Sequence, residues 1–167
     1  PDGAPYVLVR TTDLVAKADI RLTEEERMAR ERKRIRHQGI TDYAFCGRAG
    51  DALLFPLSGD LFHVRLAAQP QVRRLTDDGA AKLNPRCAPD GAHVSFTRGR
   101  DLVVVDLVES DEQLVAQSQR ETQSFGLAEF IAQEEMGRYE GTAWSADGRR
   151  LLAAGRNQLP DGTSPIR

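Results

Sequence analysis

Short apolar runs that follow glycine-containing turns recur along the chain. The segments 46–55, 87–96 and 144–153 each begin with a large or apolar residue, pass through a turn closed by glycine and continue into an apolar run. In the second segment the turn is Pro89-Asp90-Gly91. Proline fixes φ there, aspartate bonds to its own turn, and glycine accepts a positive φ. The pattern predicts short β-strands joined by tight turns.

The strands are predicted to repeat with the period of a β-propeller blade. Gly50 and Gly91 are about 41 residues apart, which is close to the length of one four-stranded blade. Within the first two repeats, the segments 59–64 and 99–104 each predict a hairpin turn and a further strand. Residues 71–76 predict the closing strand and turn of a blade. We therefore predict an all-β fold that is a partial β-propeller of about three blades.

The third repeat carries an insertion. Gly91 and Gly148 are about 57 residues apart, so about 16 extra residues fall within roughly 118–140. A closed propeller needs about four to eight blades, and the chain begins at Pro1 rather than at a methionine. We therefore expect residues 1–167 to be a fragment of one propeller domain. Its exposed strand edges are expected to make the isolated fragment prone to associate.

Two helices are predicted to interrupt the strands, one near Thr23–Arg36 and one within about Ala128–Tyr139. The first has the capping box Thr23-x-x-Glu26, early acids and late bases, an order that complements the helix dipole. Glu26 and Arg30 have the spacing of an i,i+4 ion pair. The apolar face of this helix is thin, so we expect an exposed arm that packs on another part of the protein.

The composition excludes several classes of function. A net charge of -2 and a pI near 6.0 argue against a general nucleic-acid binder. No apolar run approaches the roughly 20 residues that span a bilayer. Cys46 and Cys87 have no close partner in the sequence and are interpreted as small buried hydrophobes. His37, His63 and His93 are not at metal-ligand spacing, so neither a metal nor another cofactor is predicted.

Two charged segments have alternative interpretations. The arginine-rich arm could bind nucleic acid, present a guanidinium to a carbonyl or carboxylate group, or be a solvated surface helix. Its four glutamates weaken the first alternative, since they would repel phosphates. Glu134 and Glu135 are adjacent, and they are either solvated acids on a helix surface or a pair that holds a cation, such as a substrate ammonium group.

Four stretches of the chain resemble the N-terminal β-propeller region of the dipeptidyl peptidase IV family of serine peptidases, in the prolyl oligopeptidase clan. In the most specific stretch, Phe125–Gly148, Gln133-Glu134-Glu135-Met136 precedes Trp144-Ser145-Ala146-Asp147-Gly148. The resemblance covers about Leu22–Ala154 and is strongest to bacterial members and to the cytosolic branch that shares the arginine-rich arm. The other three stretches are Leu22–Phe45, Leu53–Val64 and Pro85–Leu107.

The resemblance implies a role for each charged segment. Glu134 and Glu135 match the glutamates that hold the free N-terminal ammonium group of a peptide substrate. An arm arginine supports the carbonyl of the second substrate residue, with Arg34 as our first choice and Arg32 as our second. The chain departs from the family at Thr142-Ala143-Trp144, where members usually have an aromatic pair. The packing behind the glutamates is therefore expected to be weaker.

The resemblance also implies partners. In this family the propeller joins an α/β-hydrolase domain that carries a Ser-Asp-His triad, the substrate lies between the two domains, and the complete protein forms a homodimer. No Gly-x-Ser-x-Gly motif is present in the chain, so this hydrolase domain is absent from it. We expect the chain to anchor peptide N-termini in a periplasmic or cytoplasmic dipeptidyl-aminopeptidase. The alternative is a non-catalytic propeller that acts as a protein-interaction scaffold.

Overall fold

Two four-stranded antiparallel sheets form the regular part of the fold. The computed structural model describes residues 6–16, 20–37 and 39–157. In the first sheet, neighbouring strands in the chain are neighbours in space. Its strands are β1 (Ala44–Cys46), β2 (Ala52–Leu57), β3 (Asp60–Arg65) and β4 (Gln71–Arg74).

The second sheet repeats the topology of the first. Its strands are β5 (Lys82–Cys87), β6 (His93–Arg98), β7 (Asp101–Asp106) and β8 (Glu112–Ala116). Leu57 pairs with Asp60 in the first sheet and Arg98 pairs with Asp101 in the second, so each central hairpin closes with a two-residue turn. These pairings confirm the hairpins that were predicted at 59–64 and 99–104.

The third repeat is less regular. Strand β10 pairs with β11, and β12 pairs with β9. The two pairs are joined by backbone hydrogen bonds from Gly126 N to the Ala154 carbonyl (3.0 Å) and from Ala154 N to the Gly141 carbonyl (2.7 Å). The described chain is thus mostly antiparallel β-structure, as predicted, while the count of about three blades stays a prediction. The strands are β9 (Gln123–Phe125), β10 (Thr142–Trp144), β11 (Leu151–Ala153) and β12 (Gly155–Asn157).

The main apolar core lies between the two four-stranded sheets and contains buried side chains from both. The opposite face of the first sheet is covered by the N-terminal segment, which includes the short helix α1 (Thr11–Leu14). The packing of this N-terminal segment on the sheet was not predicted from the sequence. The covering side chains are Leu8, Val9, Leu14, Val15 and Ile40, and they pack near Phe55, Leu57, Phe62 and Val64.

The arm helix α2 (Glu24–Arg32) docks on the first sheet through its capping residue. Thr23 and Glu26 form the predicted capping box, and Glu26 Oε1 also accepts a hydrogen bond from Gly59 N at 2.9 Å. The predicted ion pair between Glu26 and Arg30 is wrong. Arg30 instead donates to the carbonyl oxygens of His37 (2.8 Å) and Gly39 (2.9 Å), because Glu26 is turned toward the sheet.

Residue 59 must be glycine for this arrangement. Its φ is +85°, and a Cβ there would collide with the carbonyl of Gly79. Glycine therefore allows the turn between β2 and β3 to approach the loop that leaves the first sheet. The sequence predicted the turn at residue 59, but it did not predict that this turn contacts the loop that leaves the first sheet.

The two cysteines form a disulfide between the sheets, so the prediction that they are separate buried hydrophobes is wrong. Cys46 ends β1 and Cys87 ends β5, and their Cα atoms are 5.4 Å apart. They occupy equivalent positions in consecutive repeats. The packing of the two sheets brings these positions together, which a separation of 41 residues does not reveal.

A buried polar cluster also joins the sheets; we call it the Asp60 cluster. Asp60 lies at the start of β3 and accepts hydrogen bonds from the side chains of Arg74 (2.6 Å), Thr76 (3.0 Å) and Lys82 (3.3 Å). Lys82 starts β5 and contacts Asp78 as well. Asp60 and Lys82 are each only 2% exposed. The cluster consists of Asp60, Arg74, Thr76, Asp78 and Lys82.

Candidate functional site

The two glutamates lie on a short helix in a closed loop, residues 127–140, which we call the glutamate loop. Leu127 and Glu140 form an antiparallel bridge that closes the loop at its base. Helix α3 (Phe130–Met136) ends at Gly137, whose φ of 61° gives a left-handed cap. This helix lies within the range 128–139 that the sequence predicted, but it is shorter.

Glu134 and Glu135 are in the last turn of α3, and both are exposed. No basic residue shares that turn, although the negative end of a helix favours cations. Neither carboxylate forms an ion pair with another described residue. The pair is thus two adjacent acids at an unfavourable end of a helix, and an external cation would relieve their repulsion.

A cavity of about 210 Å³ separates the arm from the base of the glutamate loop. Arg32 and Lys33 line it from the arm, and Tyr139 and Glu140 line it from the loop. Its other walls come from residues 41–43, which precede β1, and from the two four-stranded sheets, which contribute Leu54, Pro56, Leu83 and Pro85. The structure therefore brings Arg32 to the base of the glutamate loop, while Glu134 and Glu135 themselves are not among the residues that line this cavity.

Arg34 lies in a different place from Arg32. It follows the end of α2 with a φ of 55°, and it lines a separate pocket together with His37, Ile40 and Thr41. The two arginines that the sequence could not separate thus face different surroundings. The positive φ of Arg34 turns the chain away from the helical path, so a helical projection could not have placed it.

Tyr139 connects three parts of the molecule. Its carbonyl oxygen accepts a hydrogen bond from Asn84 Nδ2 at 2.6 Å, and its ring centroid lies 5.3 Å from Lys33 Nζ. The next residue, Glu140, forms an ion pair with Arg86. The arm, the second sheet and the glutamate loop therefore meet at Tyr139.

Asn84, Arg86 and Lys33 were not predicted from the sequence as site residues. One available signal was the Asn84-Pro85 step, because such a step indicates a turn or a bulge. The pairing of β5 with β6 does shift register between Leu83 and Arg86. Trp144 is half-buried, and its Nε1 donates to Ser95 Oγ at 3.1 Å.

Among residues 6–16, 20–37 and 39–157, no group of three or more His, Cys, Asp or Glu side chains is arranged to hold a metal ion. Within the same ranges, no helix has the length and apolar character needed to cross a membrane.

Residues 82–158 match the family described as the dipeptidyl peptidase IV (DPP IV) N-terminal region. Mouse dipeptidyl peptidase 8 is 27% identical over 150 residues, and human dipeptidyl peptidase 8 is 26% identical over 150 residues. Each of these alignments covers 80% of this chain but only 17% of the relative.

A solved structure extends the comparison to the fold. The crystal structure of Porphyromonas gingivalis dipeptidyl peptidase 4 matches with a TM-score of 0.61 and 19% sequence identity. The match covers 74% of this chain and 19% of that one, and at this identity it supports the propeller-like β-fold alone. The family match, the two relatives and the motif around Glu134 and Glu135 agree, and the chain is similar to the N-terminal region of the dipeptidyl peptidase IV family.

Proposed function

We propose that this chain anchors the free N-terminus of peptide substrates in a dipeptidyl-aminopeptidase, which releases N-terminal dipeptides. The observation that carries the proposal is the environment of the Glu134 and Glu135 carboxylates. They are adjacent, exposed and without an ion-pair partner among the described residues, in a chain that is similar to the N-terminal region of the dipeptidyl peptidase IV family.

The chemistry of anchoring follows from charge. Two carboxylates can share one ammonium group through charge-assisted hydrogen bonds, each contributing about 1.5–3 kcal/mol. The bound ammonium removes the repulsion between the acids, so an unblocked N-terminus is preferred over an acetylated one. The distance from the carboxylates to the nucleophile then sets how many residues fit before the cleaved bond.

The nucleophile belongs to another part of the proposed protein. An α/β-hydrolase domain of the same polypeptide supplies it, and the propeller region gates access to the cleft between the two domains. In this proposal the complete enzyme is a homodimer, and its substrates are peptides with a free N-terminus.

We assign the carbonyl-supporting role to Arg32 before Arg34. Arg32 lines the cavity that reaches Tyr139 and Glu140 at the base of the glutamate loop, whereas Arg34 lines a separate pocket. A guanidinium is suited to a substrate carbonyl because its donors form a fixed planar fork. This reverses the order of preference that the sequence gave.

A second candidate function is a non-catalytic interaction scaffold. Ile131 and Met136, on the same helix as the glutamates, are 65% and 72% exposed, which would suit contact with another protein. A parent polypeptide without a Gly-x-Ser-x-Gly segment downstream of this region would favour the scaffold.

The test replaces Glu134 or Glu135 with alanine in the full-length protein. We expect kcat/KM for a dipeptidyl substrate with a free N-terminus to fall roughly 30- to 1000-fold, or about 2–4 kcal/mol, because the ammonium group loses a charged partner. An N-acetylated substrate should be poor already and should lose far less. The ratio of the two kcat/KM values is the decisive measurement.

Glu129→Ala is the matched control, since Glu129 is an exposed acid at the other end of α3 that makes no side-chain capping bond. It should leave the ratio unchanged. Arg32→Ala should reduce turnover of the free substrate more than Arg34→Ala does. If Glu134→Ala and Glu135→Ala keep the ratio of the unmodified enzyme, the anchoring role is wrong.

A further inference from the structure

A short side-chain hydrogen bond joins the glutamate loop to the second sheet. Tyr139 O accepts from Asn84 Nδ2 at 2.6 Å and from Ala128 N at 3.2 Å. Ala128 and Tyr139 flank the segment that contains Glu134 and Glu135. Of these two hydrogen bonds to the Tyr139 carbonyl, the one from Asn84 is the shorter.

The backbone at Asn84 is adapted to make this bond. Asn84 has a φ of 49° and lies where the register between β5 and β6 shifts. Pro85 follows it and has no N–H to donate to the neighbouring strand. Asparagine tolerates a positive φ better than most residues do. The bulge therefore turns the Asn84 side chain out of the regular ladder and toward the loop.

Two further contacts converge on the same point. Arg86, two residues after Asn84, pairs with Glu140, and Lys33 of the arm lies over the Tyr139 ring with Nζ 5.3 Å from its centroid. Lys33 is also paired with Asp42 at 2.8 Å. The base of the loop is therefore tied both to the second sheet and to the arm that carries Arg32.

We propose that Asn84 is a positioning residue for the glutamate pair, acting through the carbonyl of Tyr139. It does not touch the substrate. It fixes the base of the loop relative to the arm, so that the carboxylates of Glu134 and Glu135 and the guanidinium of Arg32 reach one substrate together. This inference rests on the proposed anchoring function and adds a residue to which that function assigns no role.

The experiment uses Asn84→Gly and Asn84→Asp in the full-length protein. Glycine keeps the positive φ and removes the donor. Aspartate keeps the size and places an acceptor against the Tyr139 carbonyl. We expect Asn84→Gly to lower kcat/KM for the free-N-terminus substrate about 3- to 10-fold, the usual consequence of losing one hydrogen bond. Asn84→Asp should lower it at least as much.

The readout that separates positioning from general folding is the ratio of kcat/KM for the free and the N-acetylated substrate. A loosened loop should lower that ratio, because only the free substrate uses the carboxylates. Ser110→Gly is the matched control. Ser110 also has a positive φ, of 64°, and its hydroxyl contacts Arg73 of the first sheet, but it lies in the turn between β7 and β8. It should leave the ratio unchanged.

The outcomes separate the two proposals. If Glu135→Ala collapses the ratio and Asn84→Gly leaves it intact, the positioning role is wrong and the anchoring function stands. An equal loss on both substrates with Asn84→Gly also overturns the positioning role. If neither Glu135→Ala nor Asn84→Gly alters the ratio, the anchoring function fails and this inference fails with it.

Discussion

The Asp60 cluster and the glutamate pair place acidic side chains in opposite environments. Asp60 is 2% exposed and accepts hydrogen bonds from Arg74, Thr76, Lys82 and the backbone of Gly79. Glu134 and Glu135 are exposed and lack ion-pair partners among the described residues.

The difference separates structural charges from those available to a ligand. A buried carboxylate is tolerated only when it is hydrogen-bonded, and the Asp60 carboxylate is engaged by its structural partners. The carboxylates of the glutamate pair lack ion-pair partners among the described residues and remain available to a ligand. Burial and partners distinguish the two, whereas residue type does not. We therefore expect changes in the first group to affect stability and changes in the second to affect activity.

The largest effect is expected for Asp60→Ala. It leaves Lys82 buried with less compensating charge and deprives several donors of their acceptor, so the free energy of unfolding should fall by about 3–5 kcal/mol. Urea denaturation followed by circular dichroism measures this. Asp101→Ala is the matched control, because Asp101 occupies the equivalent position in the second sheet but, among the described residues, accepts only from Ser118 N at 2.7 Å. It should cost about 1 kcal/mol. Equal losses would contradict the special role of the cluster.

The next effect is expected for removal of the disulfide by the double substitution Cys46→Ser and Cys87→Ser. The bond closes a loop with a sequence separation of 41 residues, so its loss should lower stability by about 2–4 kcal/mol. The Asp60 cluster and the hydrogen bond from Arg73 to Ser110 would still join the two sheets. Urea midpoints with and without dithiothreitol check this: the reductant should shift the unmodified chain and leave the double variant unchanged. A shift in neither would show that the bond does not stabilise the fold.

The smallest expected effect is the contribution of Asp78 to the loss of stability at low pH. Partial burial opposes ionisation of Asp78, but hydrogen bonds from Lys82, the Ala80 N–H and Arg98 outweigh it, so its pKa lies below the ordinary value of 3.8. The stabilisation is therefore present above about pH 4 and is lost as the pH falls through the lower pKa of the folded state.

Asp78→Asn should remove this dependence on pH. Because the Asp78 side chain is 38% exposed, screening by water keeps its contribution below about 1 kcal/mol. Thermal unfolding between pH 2 and about pH 6 should show a shallower loss of Tm in acid for the variant. If Tm falls equally with decreasing pH in the variant and the unmodified protein, the contacts of Asp78 add nothing to stability.

The sequence by itself determined the local elements of this protein. Glycine turns at 59 and 99 specify the two central hairpins, because their conformations depend on neighbouring residues in the chain. Thr23 and Glu26 specify the start of the arm helix for the same reason. The motif around Glu134 and Glu135, together with three other stretches, indicated the resemblance to the family from which the anchoring hypothesis follows.

Only the tertiary structure decided which segments meet. The bond between Cys46 and Cys87, the docking of Glu26 on Gly59 and the hydrogen bond from Asn84 to Tyr139 all join residues more than 30 positions apart. Such contacts depend on how sheets and helices pack, and no local pattern of polar and apolar residues records that packing. The placement of Arg32 rather than Arg34 at the base of the glutamate loop has the same origin, because it depends on where the docked arm ends.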